Sequence, residues 1–231
     1  MLPEPRTETA EAYGWLRYIA PFAVFLLMLA ASGSVPVSVE WEGPVRVLLL
    51  GALSVLCWPR HIPIRPRYLL ASTTIGILAF FLWIAPEAVF SGYRNLGLFS
   101  NSIIGHVHSS LSAAEIHDPW VLAWRAARAV LIVPIVEELF WRGWLMRWLI
   151  DSRNFQSVPL GAFSWTSFWI VAVLFASEHG SFWDVGLLAG IVYNWWMIRT
   201  RNLWDCIIAH AVTNGILAAY VIGAGQWQYW L

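Results

Sequence analysis

The chain has 231 residues, of which 59% are hydrophobic and 12% charged, about half the charged share of a soluble domain. All 14 basic residues are arginine and 14 acidic residues balance them, so no basic face points to nucleic acid as a partner. Cys57 and Cys206 lie in apolar stretches with neither CxxC spacing nor a disulfide framework, and are expected to be inert. Seventeen tryptophans are more than one soluble core of this length would use. Rings with a polar edge favour the membrane–water boundary, so the composition implies many boundary crossings.

The apolar runs come in membrane-sized pieces. Residues 18–33 carry no charge, and the acidic Glu4, Glu8 and Glu11 before them outweigh Arg6. That is the reverse of a basic signal-peptide start, and 32–36 makes a poor cleavage site, so the first helix is expected to be retained. Residues 45–58 form a shorter second run containing Arg46, whose stem is expected to snorkel to the boundary. Residues 68–86 are charge-free. A long loop, 87–119, follows with His106, His108, His117 and Asp118, which read as ordinary loop chemistry rather than a metal site. The fourth run, 120–150, is interrupted by Glu137, Glu138, Arg142 and Arg147. Runs 155–177 and 185–198 are charge-free, and from Cys206 onward His210 is the sole titratable side chain of acidic or basic type. A spanning helix needs about 20 apolar residues. The expectation is an all-α integral membrane protein, a polytopic bundle of about seven transmembrane helices. Residues 1–119 supply N-terminal spans and a loop, and 120–224 a catalytic core.

Arg60, Arg65 and Arg67 cluster after the second run, Arg147 and Arg153 after the fourth, and Arg199 and Arg201 after the sixth. By the positive-inside rule the N-terminus is cytoplasmic, with Arg125 and Arg128 on the opposing side. A bacterial inner membrane is the expected location.

Ionisable groups inside a span each cost about 2.5–3.5 kcal/mol at its centre, so each needs a compensating reason. Glu138 and Arg142 are four apart and share a helix face, where they can neutralise each other. Glu137 points about 100° away and has no partner on its own helix. Pro134, one turn earlier, frees a carbonyl and suits a kinked helix beside a wet cavity. His179 follows Phe175 by four residues, and Asn214 follows His210 by four. Any one such residue can be an interhelical hydrogen bond. Together they supply a base, a second proton-handling group and two donors, the inventory that amide hydrolysis requires.

These motifs, Glu137-Glu138 to Arg142, Phe175 to His179 and His210 to Asn214, resemble those of the CAAX-protease and bacteriocin-processing (Abi) family of intramembrane glutamate endopeptidases. The resemblance covers about 125–220. It implies a helical membrane bundle in which Glu137 and His179 activate water while His210 and Asn214 stabilise the oxyanion. Glu138, Arg142 and Phe175 would be structural support, with no cofactor and no metal. The implied partners are a protein or peptide substrate and the lipid bilayer. The tail Gly-Gln-Trp-Gln-Tyr-Trp and the length also look like an exosortase-associated bacterial subgroup, which would bring a sorting-system partner. Glu178, beside His179, is outside the motif and reads as a solvated edge residue.

Two other readings stay open. A zinc-dependent membrane protease would use two His and a Glu, although HExxH is absent and the reversed HxxEH fails at Phe175. A non-catalytic scaffold or chaperone of a sorting system would keep the polar cluster for packing. A transporter is disfavoured because no repeated halves are found. Straight helices would leave His179 and His210 more than about 10 Å apart in depth, in tension with a shared site.

Overall fold

Each of the seven apolar runs becomes a helix in the computed structural model, which describes residues 14–32, 34, 37–102 and 105–230. The expectations resting on Glu4, Arg6, Glu8 and Glu11, and on part of 32–36, lie outside the described residues. The helices are α1 (Leu16–Ala30), α2 (Val39–Cys57), α3 (Leu69–Val89), α4 (Pro119–Trp148), α5 (Trp165–Ser177), α6 (Trp183–Thr200) and α7 (Leu203–Ala224). No strand occurs among the described residues, apart from a single bridge between Asn101 and Gly105.

Three helices, α3, α4 and α7, are long and apolar enough to cross a membrane by length and composition alone. Side chains such as Leu70 (83% exposed) and Val55 (78%) project outward from helix surfaces. That much exposed apolar surface has no partner in water and fits lipid contact. The chain is therefore a helical integral membrane protein. α1 and α5 are apolar but short, at 15 and 13 residues; α2 carries Glu40, Glu42 and Arg46, and α6 carries Asp184 and Arg199.

Arg46 is held against the end of α1. It is buried and donates to the Met28 carbonyl at 3.0 Å and to Ser32 Oγ at 2.6 Å, while pairing with Glu42 one turn earlier. The neighbouring helix end offers an open carbonyl that satisfies the guanidinium. It thereby ties α1 to α2.

α4 is not a uniform helix. Two wide π-helical segments, Arg128–Ile132 and Trp141–Leu145, flank the regular turns Val133–Phe140 that carry both glutamates. Pro134 follows the first segment and has no N–H to give the preceding turn, so the helix widens where its ladder is interrupted. Such bulges change the azimuth of the residues beyond them.

α3 and α7 pack most closely through Gly76. A side chain there would meet the Ala209 carbonyl and lie 2.7 Å from Val212 Cβ. The register is pinned at one end by Asp205, whose Oδ1 accepts from Arg67 N at 3.0 Å and Tyr68 N at 2.9 Å. Asn202 caps α7 by accepting from Trp204 N at 2.9 Å.

The expected depth mismatch is not found, since the His179 and His210 rings lie 4.8 and 6.0 Å from the Phe175 ring, and the fifth helix starts at Trp165 rather than near 155. Residues 155–157 form a separate 3-10 turn. At about 1.5 Å per residue the 13-residue helix is about 20 Å long, short of the roughly 30 Å hydrocarbon layer. Its end, with His179, stays inside the bundle.

Candidate active site

Phe175 is the plate on which the site is assembled. It is 1% exposed, and its ring centroid lies 4.7 Å from the Arg142 guanidinium, 4.8 Å from the His179 ring and 6.0 Å from the His210 ring. A flat apolar face can carry a guanidinium in a desolvated place through its quadrupole.

Arg142 and Glu138 are both fully buried. Arg142 Nη1 donates to Glu138 Oε1 at 3.0 Å, Nε donates to Asn194 Oδ1 at 2.9 Å, and Nη2 reaches the Gly190 carbonyl at 3.3 Å. Asn194 in turn donates to the Phe168 carbonyl at 2.8 Å. The pair thus joins α4, α5 and α6. His210 from α7 contacts the same Glu138 oxygen through Nδ1 at 2.9 Å. A carboxylate held by an arginine accepts, so Nδ1 is the donor in this contact.

Glu137, on the adjacent face, is 7% exposed, and its Oε2 has no hydrogen-bond partner among the described residues. It lines a cavity of about 170 Å³ together with His179, His210, Asn214, Phe175 and Trp83, among others. His179 places Nδ1 2.7 Å from the Phe175 carbonyl. A carbonyl only accepts, so this nitrogen is the donor and Nε2 is left as a proton acceptor. Asn214 donates through Nδ2 to the Ala129 carbonyl at 2.8 Å, at the wide turn of α4. One amide hydrogen remains for another acceptor.

The four polar residues singled out in the sequence therefore border one cavity, while Glu178 beside them is exposed. Sequence reasoning missed three contributors. Asn194 is the partner of Arg142. Tyr193 stacks on His210 with centroids 5.1 Å apart and donates to Thr213 Oγ1 at 2.7 Å, and Thr213 Oγ1 lies 2.9 Å from the Gly76 carbonyl. A buried amide in an otherwise apolar run was the available signal for Asn194. Tyr193 left none that separates it from core aromatics.

Outside the cavity, His106 and His108 are used locally, contacting Ser100 and the His106 carbonyl, and Asp118 caps α4 by accepting from Trp120 N at 2.9 Å. Among the described residues no three His, Cys, Asp or Glu side chains are grouped to hold a metal ion.

A helical membrane bundle with a carboxylate–imidazole cavity at its core is the class that this architecture defines. Within it, residues 119–216 match the family model of the type II CAAX prenyl endopeptidases, Rce1-like. The match runs from the start of α4 into α7 and includes all three motifs. Comparison with curated proteins and with solved structures gave no match. The family is one of membrane proteases, whose substrates are proteins or peptides.

Proposed function

We propose that this protein is an intramembrane endopeptidase in which Glu137 and His179 activate water. The observation that carries this reading is the convergence of an unpartnered carboxylate, two imidazoles with free Nε2 atoms and a half-used amide on one cavity. Structural polar groups are normally paired; a carboxylate left open beside an empty space is suited to a proton that comes and goes.

In this mechanism a water lying against Glu137 gives it a proton as the water oxygen bonds to the substrate carbonyl carbon. The carbonyl electron pair moves to oxygen, and the resulting oxyanion is met by the remaining Asn214 N–H and by His210. Because Nδ1 of His210 already donates to Glu138, Nε2 donates to the oxyanion only after His210 has taken up a proton from solvent reaching the cavity, a proton it returns as the intermediate collapses. The Glu138 carboxylate stabilises the imidazolium as negative charge develops opposite it. Collapse breaks the C–N bond, and the proton on Glu137 passes to the departing nitrogen directly or through His179 Nε2.

Placement in a bacterial inner membrane with a cytoplasmic N-terminus, and association with an exosortase-type sorting system, belong to the same proposal. They rest on the arginine distribution and the Trp-rich tail. The test is cleavage of peptide substrates by the purified full chain in detergent, compared with Glu137→Gln. Loss of cleavage with an intact fold supports the hydrolase. Cleavage that vanishes on chelation and returns with zinc would instead favour the metalloprotease. A scaffold would show no cleavage in either form and disturbed assembly in the variant.

A further inference from the structure

The matched segment ends at residue 216, yet the cavity does not: Trp83, Leu217 and Trp230 all line it. The chain turns back at Gly225, whose left-handed φ of 65° suits a residue without a side chain, and Gln226 N closes the turn on the Val221 carbonyl at 3.0 Å. The segment 226–230 then lies across the end of α7. Tyr229 packs on Phe182 with centroids 5.3 Å apart, and both Tyr229 and Trp230 are buried. The Trp230 carbonyl accepts from Ser110 N at 3.0 Å and Ser110 Oγ at 3.1 Å, and the Arg125 guanidinium sits 5.3 Å from the Trp230 ring. On α3, the Trp83 ring stands edge-on to His179 at 5.2 Å. The cavity that holds the reacting groups is thus lined by one indole from α3 and one from the tail, both contributed from outside the matched segment.

Building on the hydrolase reading, we propose that Trp230 selects the substrate: the tail forms a fixed wall of the cavity and admits peptide residues with small side chains while excluding branched and aromatic ones. A tail anchored by two hydrogen bonds, a cation–π contact and a buried tyrosine does not yield to an extra side chain without losing those contacts. Discrimination by a filled apolar wall reaches about tenfold to a few hundredfold.

Two readouts on the full-length protein test this. In the first, peptides differing only in the residue at the scissile bond, from alanine to phenylalanine, are digested and the products identified by mass spectrometry. The ratio of bulky to small cleavage should rise about tenfold or more in Trp230→Ala, and much less in Trp230→Phe, which keeps a ring for Arg125. An unchanged ratio overturns the proposal. The second needs no hydrolysis. A thiol is placed at Leu217 after Cys57→Ser, Cys206 being fully buried. A small methanethiosulfonate, which transfers its methylthio group to the thiolate and releases a sulfinate, should label it in the parent, and a bulky aromatic maleimide only after Trp230→Ala. Equal labelling by both reagents in the parent overturns the proposal. Size-selective labelling without any peptide cleavage would uphold the wall and remove the hydrolase reading instead.

Discussion

His210 Nδ1 and Glu138 Oε1 meet at 2.9 Å across α7 and α4, on the same oxygen that Arg142 occupies at 3.0 Å. Glu138 is therefore committed twice, to the arginine that joins α4 with α5 and α6 and to the histidine that joins it with α7. Removing one partner of a buried ion pair costs about 3–5 kcal/mol, because the other charge is left uncompensated. Glu138→Ala and Arg142→Ala should each lower thermal stability in detergent by a loss of that order. The double variant should lose less than the sum, since no orphan charge remains. A Glu138→Ala protein as stable as the parent would remove this account of the pair.

Glu137 should behave in the opposite way. Its Oε2 has no partner among the described residues, so changing it to Gln breaks no ion pair. The expected outcome is an unaltered melting temperature together with abolished peptide cleavage, measured on the same preparation. If Glu137→Gln unfolds while Glu138→Ala is stable and inactive, the two glutamates have exchanged roles.

Phe175 supplies the face that carries Arg142 and orients His179, at 4.7 and 4.8 Å. A desolvated cation–π contact is worth about 2 kcal/mol. Phe175→Leu should therefore destabilise by about that amount and slow cleavage. Phe163→Leu, at a half-exposed surface ring, should leave both nearly unchanged. Equal melting temperatures for the two variants would argue against the plate.

The seven helices were legible because long, mostly apolar runs leave few alternatives, and Glu138 with Arg142 because a spacing of four fixes a shared face. Helix ends were not legible. Residues 155–164 are charge-free like a span but contain Pro159 and Gly161, and Gly161 adopts a left-handed φ of 71° where a Cβ would press on the Met197 carbonyl. That close approach is tertiary, and composition does not reveal it. The same holds for His210. The motif spacing gives its neighbour Asn214 but not its partner Glu138, which belongs to another helix, and the partner decides which ring nitrogen is free. Trp230 lies beyond the last motif, so nothing local marks it as part of the cavity.

Two glycines on facing helices give the most direct test of how the site is held. At Gly76 a Cβ would press on the Ala209 carbonyl and stand 2.7 Å from Val212 Cβ, and both obstacles belong to α7 itself. Neither is the mobile end of a long side chain, so α3 and α7 would have to separate. Ala209 immediately precedes His210, and the Gly76 carbonyl is a neighbour of Thr213 at 2.9 Å, so separation would also move the His210 ring from Glu138. Overpacking of this kind costs about 1–3 kcal/mol. At Gly215, one turn beyond, the nearest atom to a new Cβ is Val130 Cγ1 at 3.8 Å, an ordinary contact. There alanine brings only its better helix propensity, about 0.5–1 kcal/mol in its favour. Gly76→Ala should therefore melt earlier and cleave more slowly, while Gly215→Ala should melt at the same temperature or later. Thermal unfolding of the two single variants in one detergent decides it: a Gly76→Ala protein at least as stable as Gly215→Ala would mean that the α3–α7 contact does not position His210.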